Sequence, residues 1–256
     1  MKESAHIQPQ KQFKILCLGD TCDDVYHYGN IDRISPEAPI PIFVPTVDKV
    51  LPGMAANVSK NLKSLGCDVT EVFGNKSIKR RFVDVKTKTQ ILRVDEDNLS
   101  ISLKLQDLPD SNFDCVVISD YEKGTISYDL ISDIKRKYSV PIFIDTKKTD
   151  LKQLNGCFVK INLKEYDLLK SYCDELIVTL GERGVRYKND IMSTKKIDVI
   201  DVCGAGDTFL SALAYQYLNT RSIKNSIPFA QIASSITVKH FGVYAPTLGE
   251  IYETTW

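Results

Sequence analysis

A small-residue turn followed by a carboxylate is the part of this sequence best suited to chemistry. The segment Val199–Leu210 reads VIDVCGAGDTFL, so an apolar run is followed by the turn Gly204-Ala205-Gly206 and then by Asp207. Backbone amides at a glycine turn that opens a helix are unpaired, and the helix dipole adds partial positive charge, so the turn favours an anion such as phosphate. A neighbouring carboxylate can accept a hydroxyl proton. The pattern predicts transfer of a phosphoryl group to a hydroxyl.

Polar residues also follow four other predicted strands. A glycine turn with a following Asp is common as a plain helix start, so the turn alone leaves function and mere structure about equally plausible. The carboxyl ends of parallel strands meet at one edge of a sheet, where they line a single crevice. The gathering of polar strand ends therefore favours a functional site. The four segments are Ser119–Gly124, Asp145–Lys147, Asn162–Glu165 and Thr179–Gly184.

Strands and helices alternate through the second half of the chain. After a strand at Cys115–Ser119 the pattern predicts a helix over Ile126–Lys137, and a further helix is predicted over Leu163–Ser171. A helix over Ile223–Val238 follows the one that begins at Ala205. This alternation predicts an α/β fold with a mostly parallel sheet covered on both faces by helices.

The first half of the chain predicts a buried strand, a helix and a small separate sheet. Phe13–Leu18 predicts a strand that leads into a loop, and the turn at Leu51–Asn57 leads into a helix. Proline-rich extended segments at about 31–52 and a further extended pair at about 80–95 exclude helix. We expect these segments to form a small β sheet, the lid, that stands off the main one.

Length, charge and cysteine content bound the class of protein. The 256 residues suit one large α/β domain, and we interpret 13–256 as that domain, after a flexible polar segment at 1–12. The 33 basic and 33 acidic residues cancel, which argues against nucleic acid as the main partner. The seven cysteines include no CxxC pair, which favours buried free thiols in a reducing cytoplasm. No apolar run approaches the roughly 20 residues of a membrane span.

Six short motifs carry a resemblance to a known family. Asp201–Thr208 (DVCGAGDT), Pro52–Asn57 (PGMAAN) and Asn162-x-x-Glu165 are similar to motifs of the ribokinase-like (PfkB) sugar kinases. Arg33–Pro39 (RISPEAP), Ser119–Gly124 (SDYEKG) and Gln90–Asp95 (QILRVD) resemble those of the D-glycero-D-manno-heptose 7-phosphate kinases within that family. The resemblance spans about residues 13–248. It implies a ribokinase-like fold, a doubly covered, mostly parallel sheet with a small β lid, and a kinase that uses ATP and Mg²⁺.

The resemblance implies roles for residues at the phosphate end of the site. Asp207 is implied as the base that deprotonates the acceptor hydroxyl, and the amides of Gly204, Ala205 and Gly206 as the anion hole. Asn162 and Glu165 are implied to organise Mg²⁺, through water. The residues implied to border the nucleotide are Asn162, Thr179, Gly181 and Gly184.

At the sugar end, the resemblance implies that hydroxyls are held by Asp20 or Asp24, together with Gly53 and Asn57. A sugar that already carries a 7-phosphate needs a second cationic pocket, and the sequence does not choose among its candidates. The lid is implied to cover the sugar and to pair with a second subunit, giving a homodimer; an edge-rich sheet suits that role. The candidates for the cationic pocket are Arg33, Arg81, Arg93, Lys123 and Lys147.

The sequence departs from the family pattern at two places that bear on the sugar site. Met54 stands where the family usually has a second glycine, which predicts a side chain at a place where backbone approaches the ligand. Phe73-Gly74-Asn75 leads almost directly to Lys79, where relatives usually carry another helix and strand. The shortened region predicts apolar sheet surface that a partner or other packing must cover.

Three hypotheses for function follow. The leading one is a kinase that converts D-glycero-D-manno-heptose 7-phosphate to the 1,7-bisphosphate, a precursor of ADP-heptose. The alternatives are a PfkB-type kinase for another sugar or a nucleoside, and a catalytically silent relative that binds a sugar or nucleotide. A fused adenylyltransferase is not expected, since the three histidines form no His-x-Gly-His motif.

Overall fold

Ten strands form one sheet in the computed structural model, which describes residues 12–254. The predicted flexible segment 1–12 lies, except for Gln12, outside the described residues. The strands are β1 Lys14–Ile34, β2 Pro41–Met54, β3 Asp68–Asp84, β4 Thr89–Glu96, β5 Cys115–Asp120, β6 Ile142–Thr146, β7 Phe158–Asn162, β8 Glu175–Thr179, β9 Val185–Tyr187 and β10 Asp190–Met192. The α-helices are α1 Ala55–Ser64, α2 Tyr128–Lys137, α3 Leu163–Tyr166, α4 Ala205–Thr220, α5 Ile223–Thr237 and α6 Leu248–Glu253.

The sheet is mostly parallel, as the alternation of elements predicts. Its strand order is β10-β9-β8-β7-β6-β5-β1-β3-β4, and β2 pairs with β1. Strands β3, β1, β5, β6, β7 and β8 run parallel, whereas β9 and β10 add an antiparallel edge. All six parallel strands therefore end at the same edge, which is where the sequence places the polar segments.

Two apolar layers cover the two faces of the sheet. One contains α1, α4 and α5, whose side chains pack on strand residues such as Ile15 and Val117. The other is built from α2 and short segments around Leu151, packed on residues such as Ile118 and Ile144. Among residues 12–254, no helix is both long and apolar enough to cross a membrane. The seven cysteines carry free thiols, and all but Cys203 are buried.

Strand β1 is longer than the sequence predicts. The prediction of a short strand that gives way to a loop after Gly19 is wrong, because β1 continues to Ile34. Both β2 and β3 pair with it over this second half, β2 antiparallel and β3 parallel. These non-local hydrogen bonds override the local turn preference of Gly and Asp residues. The prediction of a small sheet separate from the main one is wrong, because the lid strands are continuous with the ten-stranded sheet through β1 and β3. The lid consists of β2, β4 and the parts of β1 and β3 that extend beyond Asp20 and Asn75.

Helix α3 is shorter than predicted. The sequence pattern extends it to Ser171, but the helix ends at Tyr166. The amides of Lys170 and Ser171 instead donate to the carbonyl of Thr149, at 2.9 and 3.3 Å. This contact ties the segment to a neighbouring connection, and tertiary bonding replaces the last helical turns.

The shortened region after Phe73 is bridged by strand β3 itself, which runs without interruption from the core into the lid. A segment from about 97 to 104 lies beside it. There the amide of Asn75 donates to Ser100 Oγ at 2.6 Å, and its side chain donates to the carbonyl of Leu99 at 3.0 Å. The segment covers part of the sheet, but the side chains of Leu99 and Ile101 are exposed.

Candidate active site

The turn before α4 has the geometry that an anion site requires. Helix α4 begins at Ala205, and Gly204 precedes it with a φ of 75°. A Cβ at Gly204 would lie 2.8 Å from Asn57 Nδ2 and 3.0 Å from a methyl of Val243, so only glycine fits. The amide of Ala205 donates to a carbonyl at 3.3 Å, whereas those of Gly204 and Gly206 have no acceptor among residues 12–254. Two amides are therefore available at a helix N-terminus.

Asp207 is buried in the first turn of α4, with 5% of its surface exposed. Its Oδ2 accepts a hydrogen bond from Asn57 Nδ2 at 2.8 Å, and its Oδ1 accepts one from the Tyr121 hydroxyl at 3.5 Å. Burial raises its pKa to about 6, while the Asn57 hydrogen bond opposes the rise and the charge of Asp145 adds to it. A carboxylate with this pKa is a suitable proton acceptor near neutral pH.

A polar network between α1 and α4 holds Asn57 in place. The side-chain amide of Asn61 donates to the Asn57 carbonyl at 2.8 Å, and its oxygen accepts from Thr208 Oγ1 at 2.9 Å. The hydroxyl of Ser211 donates to the carbonyl of Val58 at 3.0 Å. Because these groups are buried, their hydrogen bonds fix the position of α1 relative to α4. This relative position orients the side chain of Asn57 toward Asp207.

The two aspartates suggested for sugar hydroxyls have different surroundings. Asp20 accepts hydrogen bonds from the backbone amides of Tyr121 and Lys123, at 2.7 and 3.1 Å, and so orders the loop after β5. Asp24 lies in the lid part of β1, where its Oδ1 accepts from Arg81 at 3.0 Å. Gly53, another suggested contact, pairs with Cys22 on β1. Asp20 thus orders a loop of the core, whereas Asp24 belongs to a buried ion pair of the lid.

Met54 has a backbone conformation that is unusual for a residue with a side chain. It precedes α1 with a φ of 56°, a conformation that favours glycine and explains the usual family residue. The residue is 3% exposed, so it is buried.

The residues suggested for nucleotide and metal cluster at the ends of β7 and β8. The Asn162 side chain accepts from the Glu165 amide at 3.0 Å, and Glu165 Oε2 accepts from the Asn162 amide at 2.8 Å, a reciprocal cap on α3. Lys147 forms an ion pair with the other oxygen of Glu165. Thr179 Oγ1 donates to a carbonyl of β7 at 3.3 Å, and the nearby Gly181 and Gly184 both have positive φ.

Within one protomer, Arg33 does not lie at this crevice. It is an exposed residue near the end of β1. The pairing of β1 with β2 runs from Thr21 opposite Met54, at the start of α1, to Ile34 opposite Pro41, beside Arg33. Arg33 therefore lies at the far end of the lid from Asp207.

A buried ion pair lies beside the Gly204–Gly206 turn, and the sequence analysis does not predict it. Lys160 on β7 and Asp145 on β6 are 2.7 Å apart and almost fully enclosed. A Cβ on Gly206 would lie 2.8 Å from Lys160 Nζ, so the ammonium packs directly under the turn. The available signal was a lysine inside an otherwise apolar strand, which is rarely buried without a partner.

The chain is similar to known carbohydrate kinases in sequence and in fold. The family model described as "pfkB family carbohydrate kinase" matches residues 158–248, which include the Asn162–Glu165 cap and the turn before Asp207. Residues 158–248 are therefore part of a pfkB-type carbohydrate kinase domain. Solved structures share its ribokinase-like fold: ribokinase from Thermotoga maritima has a TM-score of 0.67 at 17% identity, with 94% of this chain and 98% of that one covered. Phosphofructokinase-2 from Escherichia coli has a TM-score of 0.73 at 15% identity, with 94% and 97% covered.

Among curated family members, the bifunctional protein HldE of Nitratiruptor sp. is 30% identical over 297 residues, covering 94% of this chain and 64% of that protein. HldE of Haemophilus influenzae strain PittEE is 30% identical over 291 residues, covering 91% and 61%. The chain thus spans less than two thirds of the length of these relatives. Both alignments are longer than the 256 residues of this chain, so the relatives carry residues that it lacks. The prediction of a shortened chain agrees with this difference.

Proposed function

We propose that this chain is an ATP-dependent sugar-phosphate kinase that transfers the γ-phosphoryl group to the anomeric hydroxyl of D-glycero-D-manno-heptose 7-phosphate. The observation that carries the kinase chemistry is the buried Asp207 carboxylate beside the unpaired amides of Gly204 and Gly206. The choice of sugar is supported by the HldE relatives and by the RISPEAP and SDYEKG motifs. The product is the 1,7-bisphosphate, a precursor of ADP-heptose, and we expect the reaction in the cytoplasm.

In the proposed mechanism Asp207 accepts the proton of the anomeric hydroxyl as that oxygen attacks the terminal phosphate of ATP. The Asn57 hydrogen bond holds the Oδ2 atom of Asp207, so its other oxygen, which has only a long contact to Tyr121, faces the acceptor. The amides of Gly204 and Gly206 stabilise the charge on the phosphoryl group during transfer. Asp24, on the lid, accepts a hydrogen bond from a sugar hydroxyl.

The residues at Asn162 and Glu165 fit an indirect role in holding Mg²⁺. They offer an amide oxygen and a carboxylate, which are hard oxygen donors of the kind that this ion prefers. Both groups already take part in the cap of α3, and Glu165 also pairs with Lys147. This arrangement suits the ordering of metal-bound water more than direct ligation. When bound, Mg²⁺ would neutralise charge on the phosphates of ATP.

The outer face of the lid is our proposed surface for a homodimer. Val50, Leu92 and Val94 lie on this face and are 58, 54 and 38% exposed. His27 and Phe82 stack between them at a ring distance of 4.8 Å. An exposed apolar patch on the face of edge strands is the kind of surface that pairs with a second copy.

A substrate panel tests the proposed function. Purified protein is incubated with ATP, Mg²⁺ and heptose 7-phosphate, unphosphorylated heptose, fructose 6-phosphate, ribose or adenosine, and ADP release is measured. We expect the highest kcat/KM with heptose 7-phosphate, and Asp207→Asn should lower kcat by about 10²- to 10⁴-fold. If another acceptor is phosphorylated faster, that acceptor replaces heptose 7-phosphate as the proposed substrate. Ligand binding without any turnover would favour the silent relative.

A further inference from the structure

One cation beside the candidate site has no carboxylate partner. Arg81 is paired with Asp24, Lys147 with Glu165, and Lys160 with Asp145. Lys79, which lies on β3 next to Arg80 and is partly buried, has no carboxylate within 4 Å among residues 12–254. A cation near the site that no carboxylate contacts directly is well matched by an anionic ligand.

The register of the lid directs Lys79 to the inner face. Lys79 lies opposite Asp24 in the pairing of β3 with β1, so both side chains are on the same face of the lid. Its Nζ is 5.2 Å from the centre of the Tyr121 ring, and the hydroxyl of that ring is 3.5 Å from Asp207 Oδ1. One side chain thus links the lysine of the lid to the base.

A second ammonium group reaches the same ring from the core. Lys147 Nζ is also 5.2 Å from the centre of Tyr121. The charge of Lys147 is already matched by Glu165, which we place near the nucleotide phosphates. Lys79 belongs to the lid, next to the Asp24 that we assign to sugar hydroxyls. The two lysines therefore divide the site, with Lys147 on the nucleotide side and Lys79 on the sugar side.

We propose that Lys79 binds the phosphate carried by the acceptor sugar and selects phosphorylated over unphosphorylated sugars. The inference rests on the proposed sugar-phosphate kinase activity and names the residue that recognises its substrate class. A dianionic phosphate offers several acceptor oxygens to the ammonium group, whereas a free hydroxyl offers one neutral oxygen. Lys79 lies next to Asp24, so one strand pair of the lid would read both the hydroxyls and the phosphate.

The test compares Lys79→Met with Lys76→Met. Lys76 is on the same strand but on the other face of the lid, where it pairs with Asp23 at 3.1 Å. We expect Lys79→Met to raise KM for heptose 7-phosphate by about 10-fold or more, as loss of a charge-assisted hydrogen bond does. KM for ATP and kcat/KM for unphosphorylated heptose should stay within about 2-fold. Lys76→Met should change none of these values, and matching thermal melts would show that both variants fold.

Other results would overturn the proposal. Equal losses with phosphorylated and unphosphorylated heptose, or a rise in KM for ATP alone, would assign Lys79 to the transferring phosphoryl group. Unchanged kinetics in Lys79→Met would remove its role while leaving the kinase function intact. If the wild-type protein phosphorylates no sugar, the proposed function fails, and calorimetric titration with heptose 7-phosphate then tests the binding site by itself. Binding to Lys79→Met that is tenfold weaker than to the wild type supports the site. Equal binding to both proteins, or no binding to the wild type, rejects it.

Discussion

The side-chain amide of Asn57 donates a 2.8 Å hydrogen bond to the carboxylate of Asp207 across 150 residues of chain. It joins the first turn of α1 to the first turn of α4, and both residues are buried. Burial raises the pKa of Asp207 because it disfavours the charged form, and Asn57 opposes that rise by bonding to the charged form. The pair therefore sets both the direction and the protonation of the proposed base.

Replacement of Asn57 should shift the pH dependence of the reaction. Asn57→Leu removes a hydrogen bond that lowers the pKa of Asp207, so we expect this pKa to rise above about 6. The acid limb of the kcat/KM profile, where activity grows as Asp207 loses its proton, should move to higher pH. Ser64→Ala, at the other end of α1, is the control. Profiles with the same midpoint in all three proteins would contradict the role of Asn57.

Removal of the charge at 207 should stabilise the fold at neutral pH. The pKa of Asp207 is raised from 3.8 to about 6 on folding, so folding is penalised once the unfolded chain is ionised. This penalty grows from about pH 4 to about pH 6 and then stays constant, at about 3 kcal/mol. We therefore expect Asp207→Asn to have a higher Tm than the wild type at pH 8 and a similar Tm below pH 4. A lower Tm of Asp207→Asn than of the wild type at pH 8 would show that the buried charge of Asp207 does not destabilise the fold.

The ion pair under the turn should behave as a coupled unit. Lys160→Met leaves the buried carboxylate of Asp145 without its partner, and we expect a loss of about 3–5 kcal/mol in the free energy of unfolding. Asp145→Asn combined with Lys160→Met removes both charges and should recover a large part of that loss. Urea unfolding of the single and double variants measures the coupling. Additive losses would mean that the two residues act separately.

The exposed face of the lid offers a test of the proposed dimer. Val50→Asp combined with Leu92→Asp places charges in the apolar patch, and we expect the protein to shift to monomer in sedimentation experiments. Val199→Asp, an exposed apolar residue outside the lid, is the matched control. A wild-type protein that is monomeric at micromolar concentration, or a variant that remains dimeric, would place the interface elsewhere or remove it.

The sequence by itself determined the architecture and the central chemistry. The apolar run at Cys115–Ser119 predicted strand β5 to within one residue, because such runs are buried on both faces of the sheet and leave little ambiguity. The start of α4 after Gly204 followed from the same local reasoning. A turn of small residues and a following Asp are local features, so they are readable without the fold.

Only the tertiary structure decided how distant residues meet. The extension of β1 into the lid depends on pairing with β2 and β3, which local turn preference at Gly19 and Asp20 contradicts. The Asn57–Asp207 hydrogen bond and the Lys160–Asp145 ion pair join separate elements, and no spacing in the chain reveals them. Arg33 lies far from the base because it is on an extended strand, which rises by about 3.3 Å per residue. A short loop would have kept it closer. Non-local hydrogen bonds and burial, rather than local propensity, fixed these relationships.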